Sequence, residues 1–146
     1  MILREAENGD LLPLLELYTH LHGNAMPEID DGLLALWDGI QKEVNHHVIV
    51  GIEENMLVCS CVLVIVPNLT HGQRPYALIE NVITHPNHRN RGYATRALEY
   101  AKEIATDCHC YKIMLMTGSK RESTLNFYRR AGYNAQDKTA FIQWLG

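Results

Sequence analysis

Residues 76–95 read Tyr76-Ala77-Leu78-Ile79-Glu80-Asn81-Val82-Ile83-Thr84-His85-Pro86-Asn87-His88-Arg89-Asn90-Arg91-Gly92-Tyr93-Ala94-Thr95, and the fold turns on them. The run from Tyr76 to Thr84 is mostly apolar and short, as a strand is, and Pro86 lacks the N–H that a sheet requires, so the chain must leave it there. From Tyr93 the residues Ala94, Ala97, Leu98, Ala101 and Ile104 or Ala105 recur at helical spacing to about Thr106. Amides in a helix's first turn have no intrahelical acceptor, and the helix dipole adds partial positive charge there. Arg89 and Arg91 add full charges whose planar forks suit phosphate oxygens, and Gly92 removes a side chain where a ligand could press against backbone. A diphosphate would satisfy all of these donors. An ordinary helix start with two solvated arginines needs no ligand, so the loop alone leaves both readings open.

Working outward, Tyr111 to Met116 reads as a further strand, so strand, helix and strand alternate from Tyr76 onward. That order predicts an α/β layer whose fourth and fifth strands are parallel and joined by a right-handed crossover. Ser119 or Ser123 then caps a helix with Leu125, Phe127, Tyr128 and Ala131, which Gly132 stops. Ala140 to Leu145 is expected to form a last strand. Upstream, Met1 to Arg4 is a first strand, followed by a helix capped by Asn8 or Asp10 with Leu11, Leu14, Leu15, Tyr18 and Leu21 on its apolar face. A second helix starts near Asp30-Asp31 and carries Leu33, Leu36, Trp37, Ile40 and Val44, before His46 and His47 end it. Val48 to Ile52 and Met56 to Val58 flank Glu53-Glu54-Asn55 as an antiparallel hairpin. There is no repeat or linker, and residues 1–146 are expected to form one domain.

Composition narrows the function. The 146 residues are 47% hydrophobic and 21% charged, as in a chain that folds throughout around one core. A formal charge of −4 provides no global basic field for nucleic acid or an anionic membrane, so any anion site must be local. The apolar run from Met56 to Pro67 is too short for a membrane helix and reads as a buried strand. Met1 to Glu5 becomes charged at once and does not resemble a signal peptide, which points to the cytoplasm. Cys59/Cys61 and Cys108/Cys110 have one residue between thiols, poor spacing for a metal, and are read as buried thiols with no metal site.

Two motifs bring the chain close to a known family. Arg89, Gly92 and Ala94 match the Arg/Gln-x-x-Gly-x-Gly/Ala coenzyme loop of the GNAT superfamily of acyl-CoA N-acetyltransferases. Asn126-Phe127-Tyr128 through Gly132-Tyr133 matches its Asn-x-Phe-Tyr-x-x-x-Gly-Phe/Tyr signature, in the right order and loosely continuous over nearly the whole chain. The resemblance implies a mixed α/β sheet of six to seven strands, with strands four and five splayed at one end and about four helices around them. It implies acetyl-CoA as co-substrate, with Arg89, Asn90, Arg91, Gly92, Tyr93, Ala94 and Thr95 around its pyrophosphate. Val82, Ile83 and Thr84 would pair with the pantetheine arm like an added strand. A backbone N–H near Val82 or Ile83 would polarise the thioester carbonyl, Asn126 would bond the pantetheine or the helix around it, and Tyr128 would protonate the departing sulfur. Dimers are common among such enzymes, so a homodimer is one option.

Glu80 is the candidate base read from the residues themselves. A carboxylate in an otherwise apolar strand needs a partner or a function, and burial there would favour its protonated form. Water-mediated deprotonation, His85, His88 and an orienting Asn81 are its alternatives. The acceptor, an amine on a small molecule or peptide, should meet Glu28, Asp30 and Asp31 between the first two helices. Asn68, His71, Gln73, Arg74 and Tyr76 ahead of strand four should also reach it, with Asp30 and Asp31 also explained as helix caps. Lys120-Arg121 resembles a stretch of aminoalkylphosphonate acetyltransferases and would suit an anionic amine. The competing function is a non-catalytic acyl-CoA sensor. Nucleic-acid binding ranks last, since 13 Lys and Arg stand against 17 Asp and Glu.

Overall fold

The computed structural model describes residues 1–146. Two compact units make up the chain, residues 1–114 and residues 115–146. The elements in order are β1 (Ile2–Glu5), a 3-10 turn (Asn8–Asp10), α1 (Leu11–Tyr18), α2 (Asp31–Lys42), β2 (His46–Glu53) and β3 (Met56–Val66). After a 3-10 turn at His71–Gln73 come β4 (Tyr76–Thr84), a 3-10 turn (Pro86–His88), α3 (Tyr93–Asp107), β5 (Ile113–Leu115) and α4 (Glu122–Arg130).

The sheet order is β1-β2-β3-β4-β5, antiparallel except for the parallel β4–β5 pair. Glu54 and Asn55 both adopt positive φ, 49° and 63°, which gives the β2–β3 hairpin its two-residue turn. Gly51 on β2 stands opposite Cys59 because a Cβ there would fall on the Cys59 and Met1 sulfurs. On one face of the sheet Val48, Val50, Leu57, Val62 and Ile83 pack with Leu14 and Leu17 of α1 and Trp37 of α2. On the other, Cys59 and Cys61 reach α3, their sulfurs 3.9 Å from the Tyr93 carbonyl and 3.8 Å from that of Ala97. Burial pushes these thiols up to about 11 and about 12, so both stay protonated as small apolar fillers. Ile49, Val50, Val58, Leu63 and Ile79 are fully or almost fully buried, each contributing roughly 1.5–3 kcal/mol by leaving water.

Several expectations are corrected. The sheet has five strands rather than six or seven. Residues 140–145 form no strand, because extended backbone becomes one only beside a partner and none pairs with them. β5 starts at Ile113 rather than Tyr111, whose ring stacks on His71 at 3.9 Å. His46 and His47 open β2 instead of closing α2. Leu36 and Val44 point to solvent, so the core contact of α2 rests on Trp37.

Candidate active site

The site begins with a register shift. Val62 of β3 pairs with Glu80, but Ser60 pairs with Ile83, so β4 carries one residue more than β3 between these pairs. The extra residue is accommodated at Asn81, whose φ of 54° lies in the left-handed region that asparagine tolerates. Strand alternation breaks here, leaving Glu80 and Asn81 both exposed, Val82 half-buried and Ile83 buried. Burial of Glu80 was expected from the apolar strand. The register instead sets it opposite Val62, on the face that α1 and α2 cover elsewhere, beyond the reach of their side chains.

Tyr18, at the end of α1, has its hydroxyl facing the side chains of Ser60 and Asn81, and its own burial raises its pKa. Nothing in the sequence marked Tyr18 beyond its place on an apolar helix face. The Ser60 hydroxyl is spoken for, donating to the Ile49 carbonyl at 2.7 Å.

After Thr84 the backbone N–H of His85 still bonds to the Val58 carbonyl at 2.8 Å, and the chain then turns through Pro86–His88. His85 Nδ1 accepts the Asn87 N–H at 3.1 Å. Loss of hydration, then the nearby His20, His88 and Arg89, lowers the His85 pKa. The rings of His20 and His85 are 4.9 Å apart, and those of His85 and His88 are 5.6 Å apart.

Asn90 and Gly92 then take positive φ, 61° and 76°. Gly92 is the N-cap of α3, no side chain caps that end, and the first helical bond runs from the Arg96 N–H to the Gly92 carbonyl at 3.1 Å. The amides of Tyr93, Ala94 and Thr95 therefore precede the helical ladder and have no intrahelical acceptor. Arg89, Asn90, Arg91 and Gly92 are exposed, and neither arginine forms an ion pair with a carboxylate. Arg91 lies 3.4 Å from His88 Nδ1. No protein atom lies within 4 Å of a Cβ built at Gly92, so the space over the loop is open. Free amides, two unpaired guanidiniums and that space fit a diphosphate. No group of His, Cys, Asp or Glu is arranged to hold a metal ion.

In the second unit, the Asn126/Tyr128 signature has a local structural basis. Gly132, at φ 97°, ends α4 with two bonds: its own N–H to the Arg129 carbonyl at 3.0 Å and the Tyr133 N–H to the Tyr128 carbonyl at 3.0 Å. This brings the Tyr133 ring edge-on to Tyr128, 6.4 Å away, with Phe127 at 4.9 Å. Asn126 accepts from Arg129 at 2.8 Å, and the same guanidinium bonds Glu122. Asn126 thus already serves the helix around it. Arg121 is the N-cap residue of α4, and Ser119 accepts the Arg121 N–H at 3.2 Å.

Of the residues expected around the acceptor, Asp30 caps α2 by accepting the Leu33 N–H at 2.9 Å. Glu28 and Asp31 are exposed in the same region. The loop before β4 is absorbed elsewhere. His71 stacks on Tyr111, Arg74 bonds the His109 and Cys110 carbonyls at 3.0 Å each, and Lys112 sits over the Tyr76 and Tyr111 rings. These contacts lie at the Tyr76 end of β4, about 26 Å of extended strand from Thr84, so that loop is far from the anion site.

Comparison with known proteins bears on this geometry. The sequence pattern described as "Acetyltransferase (GNAT) family" matches residues 12–133. A protein from Agrobacterium tumefaciens str. C58 solved as an acetyltransferase is 36% identical, covers 99% of this chain and 100% of its own, and superposes with a TM-score of 0.92. A transcriptional regulator from Bacillus halodurans C-125 is 25% identical over 98% of this chain and 99% of its own, with a TM-score of 0.87. A Trypanosoma brucei acetyltransferase is 28% identical over 98% and 99%, with a TM-score of 0.83.

Proposed function

Because the chain belongs to the GNAT family of acetyltransferases, we propose that it transfers the acetyl group of acetyl-CoA to a primary amine of a small molecule or peptide. The amine attacks directly while both substrates are bound. The observation that carries this reading is the uncapped N-terminus of α3 behind Gly92, flanked by the unpaired Arg89 and Arg91. Acetyl-CoA supplies the thioester, and the family uses it as co-substrate.

The residues divide the work. The amides of Tyr93, Ala94 and Thr95, with Arg89, Asn90 and Arg91, hold the pyrophosphate. Val82, Ile83 and Thr84 offer backbone to the pantetheine arm, and the N–H near Val82 or Ile83 stabilises negative charge developing on the carbonyl oxygen. The bulge at Asn81 supports this role, because it turns that stretch of β4 out of the regular ladder. Glu80, exposed beside the bulge, takes the proton from the amine directly or through water. Tyr128 donates to the departing sulfur, and Asn126 steadies the helix that presents it. The two units act as one N-acetyltransferase domain in this reading.

No helix is long and apolar enough to cross a membrane. All four cysteines are free, which supports a reducing, cytoplasmic setting. The likeness to a transcriptional regulator favours a second reading, a non-catalytic acyl-CoA sensor. A panel of amines scored by release of free CoA separates the two. Amine-dependent release supports the enzyme, and coenzyme binding with no release from any amine supports the sensor.

A further inference from the structure

The C-terminal segment is built like a strand and has no sheet. From Thr139 to Gly146 there is no charged residue. Phe141, Ile142, Trp144 and Leu145 are 90%, 62%, 86% and 90% exposed. Alternation would place Phe141 and Leu145 on one face of a strand and Ile142 and Trp144 on the other. A strand apolar on both faces is suited to a sheet covered on both faces, and the sheet here has α1 and α2 on one side and α3 on the other.

The same chain has an open sheet edge of matching chemistry. β5 is the last strand of the sheet and has β4 as its one strand neighbour. Its residues Ile113, Met114 and Leu115 are uncharged and half-buried, and Met116 beyond them is exposed. The opposite edge, β1, is guarded by charge: Arg4 pairs with Asp10 at 2.6 Å, and Glu5 pairs with His47.

We propose that two copies of this chain exchange their C-terminal segments, residues 140–145 of each adding a sixth strand to the β5 edge of the other. One chain carries both the unpaired strand and the unpaired apolar edge, so a second copy satisfies all four surfaces at once through a two-fold axis. The area is sufficient. Two exchanged segments bring roughly 600–1,000 Å² from their aromatic rings alone, before Ile142, Leu145 and the β5 edges are counted, and a specific interface totals about 1,200–2,000 Å². The sixth strand expected from the sequence is then supplied between chains. This inference does not depend on the acetyl-transfer reading.

The test is the solution mass of the full chain at micromolar concentration, by light scattering after gel filtration. The expected result is a species of twice the 16.6 kDa chain mass, and a monomer in the double variant Phe141→Glu/Trp144→Glu. A monomeric wild type, a ladder of larger species, or a dimer that survives the double variant would each overturn the exchange. A second measurement guards against a variant that fails to fold. In a Trp37→Phe background Trp144 is the one remaining tryptophan, and its emission should be blue-shifted and shielded from iodide when concentrated. Dilution through the dissociation range should make it red-shifted and quenchable, and shielding that does not change on dilution would show the segment covered by its own chain and sink the proposal.

Discussion

His85 Nδ1 accepts the backbone N–H of Asn87 at 3.1 Å, so the ring holds the turn ahead of the anion loop only while that nitrogen is unprotonated. Folding lowers the His85 pKa, chiefly through lost hydration and then through His20, His88 and Arg89. A histidine lowered in this way contributes stability that is complete above its unfolded value, about 6.5, and is lost as pH falls through the lower folded value. His46 is lowered by burial and acts in the same direction, so a comparison is needed. Between pH 7 and 5 the melting temperature of the wild type should fall further than that of His85→Asn, whose side-chain oxygen can still accept the Asn87 N–H. Parallel curves would show that His85 does not carry this dependence.

The close approach at Gly51 gives a prediction about the core. A Cβ there would meet the sulfurs of Cys59 and Met1, so Gly51→Val should destabilise the chain by about 1–3 kcal/mol through overpacking. Urea unfolding is the measurement, and an unchanged midpoint would mean that β1 and β2 yield freely at this position.

For the chemistry, Tyr128→Phe removes one hydroxyl while keeping the ring between Phe127 and Tyr133. If Tyr128 donates to the departing sulfur, kcat should fall about 10²–10⁴-fold, with acetyl-CoA affinity nearly intact. An unchanged kcat would remove Tyr128 from the acid role.

What could be read from the chain alone follows the range of the forces involved. The limits of β4 and the start of α3 were legible because Pro86 and Gly92 act on their own backbone. Asp10 and Asp30 were legible as helix starts for the same reason. The exposure of Glu80 was not, since it depends on which β3 residues stand opposite, and the bulge at Asn81 left only the weak signal of an asparagine in a strand. Tyr18 escaped notice because its polar neighbours, Ser60 and Asn81, are distant in sequence. Residues 140–145 have the composition of a strand, but composition does not say which edge will receive it.

The central claim is that the loop from His88 to Thr95 holds the pyrophosphate of acetyl-CoA, and coenzyme-dependent thermal stability tests it most directly. At 100 times its dissociation constant a ligand stabilises the folded chain by about 2.7 kcal/mol, which for a chain near this size raises the melting temperature by roughly 5–10 °C. The wild type should show this rise with millimolar acetyl-CoA, and Gly92→Glu, which sets a carboxylate in the open space over the loop, should show none. An unchanged wild-type melting curve, or an equal rise in Gly92→Glu, would contradict the account.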